Sequence, residues 1–179
     1  MLTIKDLLLG ELSKRNTREI ARMAGENNNI LKELWDYAVS ENEPVNWRSA
    51  WVIKSIWEQN PDLVSPLIGK MIRSLPELNK GGVKREFLRI IQEYPIPEDE
   101  ELLGVLLDSC FSWLAAPAEP IAIKIHTMTI LFEISKNIPE IKPELITTIE
   151  VAMQEGSAGI RNRGSKTIRA LKTNKTKVK

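Results

Sequence analysis

Apolar residues return every three or four positions along almost the whole chain. Ile141, Leu145, Ile149 and Met153 step by four, and Val83, Phe87, Ile90, Ile91 and Tyr94 keep the three-and-four spacing of a single helix face. No stretch alternates apolar and polar residues between turn signals, so the pattern predicts no strands. The interruptions are chemical as well as periodic. Asn16, with Glu19 three residues on, offers a capping box. Pro44, Pro120 and Pro143 stand where a first-turn proline opens a helix. Asn60-Pro61 and Tyr94-Pro95-Ile96-Pro97 end one helix before the next, and Gly156-Ser157 reads as a stop followed by a cap. Ten helices are predicted, over 2–13, 16–26, 28–40, 45–59, 62–75, 81–94, 98–115, 120–137, 141–155 and 157–172.

Every second helix opens in a similar way. Trp47-Arg48 precedes Trp51-Val52, Val83-Lys84 precedes Phe87-Leu88, Ile123-Lys124 precedes Thr127-Met128, and Ile160-Arg161 precedes Gly164-Ser165. Each copy is an apolar residue, a basic residue, two variable positions and then a core or small position. The starts at 47, 83, 123 and 160 lie 36, 40 and 37 residues apart, the period of a two-helix repeat with short connections. This register resembles the HEAT repeat family, whose second helix opens on an apolar-basic pair; bulky Trp51 and Phe87 depart from the small residue usual in that family. The resemblance covers nearly the whole chain and implies an all-α fold, a right-handed α-solenoid of about five helix pairs. It places one repeat domain over 1–172 and leaves 173–179 as a flexible basic tail. One helix pair cannot bury its own apolar face, so stacking is what joins the faces into a core.

Composition narrows the class further. With 42% hydrophobic and 27% charged residues, the 179-residue chain suits one folded domain or a short repeat array. A single cysteine, Cys110, cannot form an internal disulfide, no apolar run reaches membrane-spanning length, and two charges near the N-terminus interrupt any signal-peptide core. These features lead us to expect a cytoplasmic protein with no membrane partner.

The net charge is only +1, but its distribution is uneven. The second helices and the tail hold 17 basic against 6 acidic residues, a balance of +11, while the rest of the chain carries −10. Second helices line the concave face of HEAT-like solenoids, so the resemblance implies a basic inner surface and an anionic partner. Trp47, Arg48, Trp51, Lys84, Arg85, Arg89, Lys124 and Arg161 are the expected partner contacts. The three tryptophans Trp47, Trp51 and Trp57 cannot all face one way on one helix, so one of them is expected at the surface.

Candidate chemistry is sparse. His126 is the single histidine, and no HExxH motif or cysteine pair accompanies it. The segment Gly159–Thr167 approaches a phosphate-binding loop, but Ser165 separates Gly164 from Lys166 and a helix precedes it where a strand is required. The run Glu98-Asp99-Glu100-Glu101 suits the first turn of a helix, where the dipole favours acids. The expectation is a non-enzymatic scaffold with no cofactor, whose basic face takes an acidic protein segment. The alternative is nucleic-acid binding, because the bacterial alkylpurine DNA glycosylases are also HEAT-like and cradle DNA in a basic face; none of their catalytic residues aligns with this chain.

Overall fold

The computed structural model describes residues 2–154 and 156–173. Among them every regular element is helical. The backbone divides into two compact units, Met1–Glu93 and Tyr94–Lys179, and each is taken by itself.

The first unit contains α1 (Ile4–Leu9), α2 (Lys14–Glu26), α3 (Asn28–Ala38), α4 (Val45–Gln59), α5 (Pro61–Val64), α6 (Ile68–Ser74) and α7 (Gly81–Ile91), with 3-10 turns at Ser65–Leu67 and Leu75–Glu77. Helix α4 packs against α3 within its pair and against α2 and α7 on either side. Second helices thus lie against second helices, which is the stacking of an α-solenoid. The buried residues come from the three-and-four stripes: Ile20, Leu34, Ile53, Ile56, Met71, Leu75, Phe87 and Leu88 are all buried. Trp35 closes this core on one side by stacking on Phe87, with ring centroids 5.6 Å apart.

The second unit contains α8 (Glu100–Ala115), α9 (Ile121–Asn137), α10 (Lys142–Gln154) and α11 (Ala158–Thr173), with a 3-10 turn at Pro139–Ile141. Here the first helices α8 and α10 pack together, and so do the second helices α9 and α11. Leu106, Leu114, Met128, Leu131, Leu145 and Ile149 form the shared core.

Several boundaries match the sequence reading, and the exceptions have local causes. Helix α4 spans the predicted 45–59, with Pro44 as its N-cap after a cis Glu43–Pro44 peptide. The predicted helix over 62–75 is instead divided into α5, a 3-10 turn and α6, followed by a second 3-10 turn. Pro66 and Pro76, each inside a 3-10 turn, cannot donate to the α-helical ladder. The cap assigned to Asn16 belongs to Ser13, whose hydroxyl accepts from the Asn16 N–H at 3.1 Å. The Asn16 amide instead donates to the Leu7 and Glu11 carbonyls, tying α2 back to the end of α1. A capping box does exist, but on α1, where Thr3 and Asp6 bond reciprocally. Asp99 caps α8 by accepting from the Leu102 N–H at 2.9 Å, and Glu100 and Glu101 fill the first turn as the acidic run implied. Thr173 ends α11, and the rest of the predicted tail, 174–179, lies outside the described residues, as does residue 155.

Candidate functional site

The eight expected contact residues fall in both units: Trp47, Arg48, Trp51, Lys84, Arg85 and Arg89 in the first, Lys124 and Arg161 in the second. In the first unit most of the cations are already engaged. Arg48 donates from Nη1 to the Leu8 carbonyl at 2.7 Å and the Gly10 carbonyl at 3.3 Å, satisfying groups that the end of α1 leaves without helical partners. Its guanidinium also stands 5.5 Å from the centre of the Trp47 ring. Arg85 and Arg89 both bind the carboxylate of Glu86, which is 1% exposed, at 2.9 and 2.7 Å. Arg89 also reaches Glu58 at 3.6 Å. Lys84 is buried on the same helix.

A second cluster forms where α4 meets the end of α7. Lys54, 3% exposed, donates to both oxygens of Glu93 at 2.9 and 3.0 Å, and Glu58 lies 3.6 Å away. The indole N–H of Trp57 donates to the same Glu93 carboxylate at 2.6 Å. Burial pushes the Glu93 carboxyl up. The hydrogen bonds from Lys54 and Trp57 and the charges of Lys54 and Arg89 outweigh this and hold it below its ordinary value. Of the three tryptophans on α4, Trp57 is buried and committed to this cluster, while Trp47 and Trp51 are half-buried.

The second unit is organised differently. Helix α11 contains no acidic residue and carries Arg161, Arg163, Lys166, Arg169 and Lys172. Arg163 is half-buried and donates to the Thr129 hydroxyl at 2.7 Å. Arg161 donates to the Gly156 carbonyl, yet stays exposed. Lys166, Arg169 and Lys172 are exposed and form no ion pair among the described residues. Arg169 and Lys172 line a shallow groove of about 570 Å³ between α10 and α11, together with Met153, Ile168 and Glu150.

Lys124 also differs from its counterparts in the first unit. It is 8% exposed, lines a cavity of about 380 Å³, and has no ion-pair or hydrogen-bond partner among the described residues. Charge counting and repeat register found Lys124 and the α11 cations. They missed the buried Glu86 and the Lys54–Glu93–Trp57 cluster, because carboxylates on one helix were counted without knowing which cations they face. They also missed a groove of about 370 Å³ in the first unit, where Trp35, Leu63 and Leu67 meet Lys32 and Lys70.

Among the described residues, no three His, Cys, Asp or Glu side chains lie close enough to hold a metal ion. Cys110 is fully buried, and burial pushes its thiol far up, away from the nucleophilic thiolate. The segment resembling a phosphate loop is continuous helix within α11. No described helix is long and apolar enough to cross a membrane.

No curated protein and no solved structure matches the chain. A family model described as a HEAT repeat domain matches residues 4–171, nearly the whole length. With second helices stacked on second helices inside each unit, that match identifies the chain as a member of the HEAT repeat family.

Proposed function

We propose that this protein is a non-enzymatic interaction module that captures an acidic protein segment. HEAT repeats generally mediate protein–protein interaction, and the proposal adds the chemistry of the partner. The observation that carries it is the state of the cations on α11. Lys166, Arg169 and Lys172 are exposed on a helix without acids and carry no ion pair among the described residues. The arginines on α7 are already paired with the Glu86 carboxylate. Long cationic side chains next to apolar Met153 and Ile168 suit a segment that alternates acids with apolar residues.

The test is affinity capture from a cytoplasmic extract, with the wild-type chain beside a variant carrying Lys166→Glu, Arg169→Glu and Lys172→Glu. Because all three residues are exposed, the variant should keep its helical circular dichroism. The reading expects a protein retained by the wild type, lost by the variant, and bound through an acidic stretch mapped by truncation. Recovery of nucleic acid alone would replace the reading with the nucleic-acid alternative.

A further inference from the structure

We infer that the Lys124 cavity of the second unit is a seat for a single carboxylate side chain flanked by an apolar residue, the anchor point of the acidic segment proposed above. This inference rests on that reading. Three lysines are buried among the described residues, and two of them, Lys54 and Lys124, invite comparison. Lys54 is buried with two carboxylates around it. Lys124 is almost as deeply covered, at 8% exposure, and its ammonium forms no ion pair or hydrogen bond with a described residue. A buried ammonium without a counter-charge is costly, and the cost is relieved when an anion binds. The covered side chain opens onto a cavity of about 380 Å³, within the range of small ligand sites.

The surroundings say which anion fits. Helix α9 starts at Ile121 behind Pro120 with no side-chain cap; the Ile123 and Lys124 N–H groups donate to the Pro120 carbonyl, which leaves those of Ile121 and Ala122 for an acceptor. Ile121 and Val151 line the same cavity and are 47% and 52% exposed, two of the few large apolar residues the protein leaves in water. An apolar neighbour of the incoming carboxylate would cover both. Glu119 also lines the cavity, and its negative charge weighs against a phosphodiester chain carrying a charge at every unit. One carboxylate beside one leucine-like side chain meets Lys124 and the apolar rim at once.

The test is an NMR titration of the full chain, isotope-labelled in isoleucine and valine methyls. The probe is the capped tetrapeptide acetyl-Ala-Leu-Glu-Ala-amide, with its Glu→Gln analogue as control. The inference expects saturable shifts at Ile121 and Val151 with the glutamate peptide. Affinity should fall about tenfold or more with the glutamine peptide and with Lys124→Met, which keeps the length of the stem without the charge. Val151→Glu, an exposed change that leaves the core intact, should abolish the shifts. Shifts at Ile121 and Val151 that are unchanged in Lys124→Met would overturn the inference, and so would their absence in the wild type. A glutamate peptide that perturbs α11 but not this cavity would overturn it while leaving the general reading in place. Binding here, without any acidic protein partner in the capture experiment, would retain the cavity and remove the proposed function.

Discussion

At the scale of single residues, the same chemical type does opposite work in different places. Arg48 serves the backbone, closing the end of α1 through the Leu8 and Gly10 carbonyls. Arg85 and Arg89 serve the buried Glu86. Lys54 depends on Glu93, and this dependence is measurable. The folded-state pKa of Glu93 is depressed below 4.5, so its contribution to stability is complete above about pH 4.5 and is lost as pH falls through the lower folded value. Glu93→Gln should therefore lower stability near neutral pH by about 1–2 kcal/mol, because the Glu93 side chain is 46% exposed and solvent screens its bonds to Lys54 and Trp57. It should also flatten the acid limb of the urea-denaturation profile below about pH 4.5, where Glu93 becomes protonated. An acid limb identical to wild type would show that Glu93 does not hold the Lys54 charge. The pairings of Glu93 with Lys54 and Trp57 could not be read from the sequence, because residues 36 and 39 positions apart meet only after α4 and α7 pack.

At the scale of elements, the helices were largely legible and their interruptions less so. Helix α4 could be placed because Pro44 and Asn60-Pro61 break the chain unambiguously on both sides. The region after it could not, because Pro66 and Pro76 divide one apolar stripe into short pieces without disturbing its period. The contact distance between helices depends on glycine at two points. A Cβ on Gly82 would lie 2.6 Å from the Cβ of Trp47, close to the backbone of α4, and one on Gly164 would meet Met153 and Ile149 of α10 at under 3 Å. Gly82→Ala and Gly164→Ala should each destabilise by about 1–3 kcal/mol in chemical denaturation, as α4 and α7 or α10 and α11 are pushed apart. Gly82→Ala should be the worse of the two, because the Met153 side chain can swing away whereas the Trp47 Cβ cannot. Gly104 is the control. Nothing lies within 4 Å of a Cβ built there, inside α8, so Gly104→Ala should stabilise by about 0.4–1 kcal/mol. Destabilisation by Gly104→Ala would contradict this packing.

At the scale of the whole molecule, the repeat register was the part of the sequence that carried most information. Four apolar-basic openings predicted which helices stack on which, and the packing of α2, α4 and α7, and of α9 and α11, has that arrangement. The register also brought the basic residues into view as a class. It could not separate those that hold the fold from those that form no ion pair among the described residues, since that depends on which carboxylates come within reach. Arg48, Arg85 and Arg89 hold the fold; Lys166, Arg169 and Lys172 of α11 form no ion pair among the described residues. The proposal that an acidic segment binds those cations is tested most directly by fluorescence anisotropy of a labelled glutamate-leucine peptide with the full chain. A labelled DNA duplex serves as competitor, at about 50 and about 200 mM salt. The account predicts saturable peptide binding that weakens with salt and falls about tenfold or more in the Lys166→Glu, Arg169→Glu, Lys172→Glu variant, with the duplex a poor competitor. Peptide binding untouched by the triple variant, or a duplex that displaces the peptide at equal concentration, would contradict it.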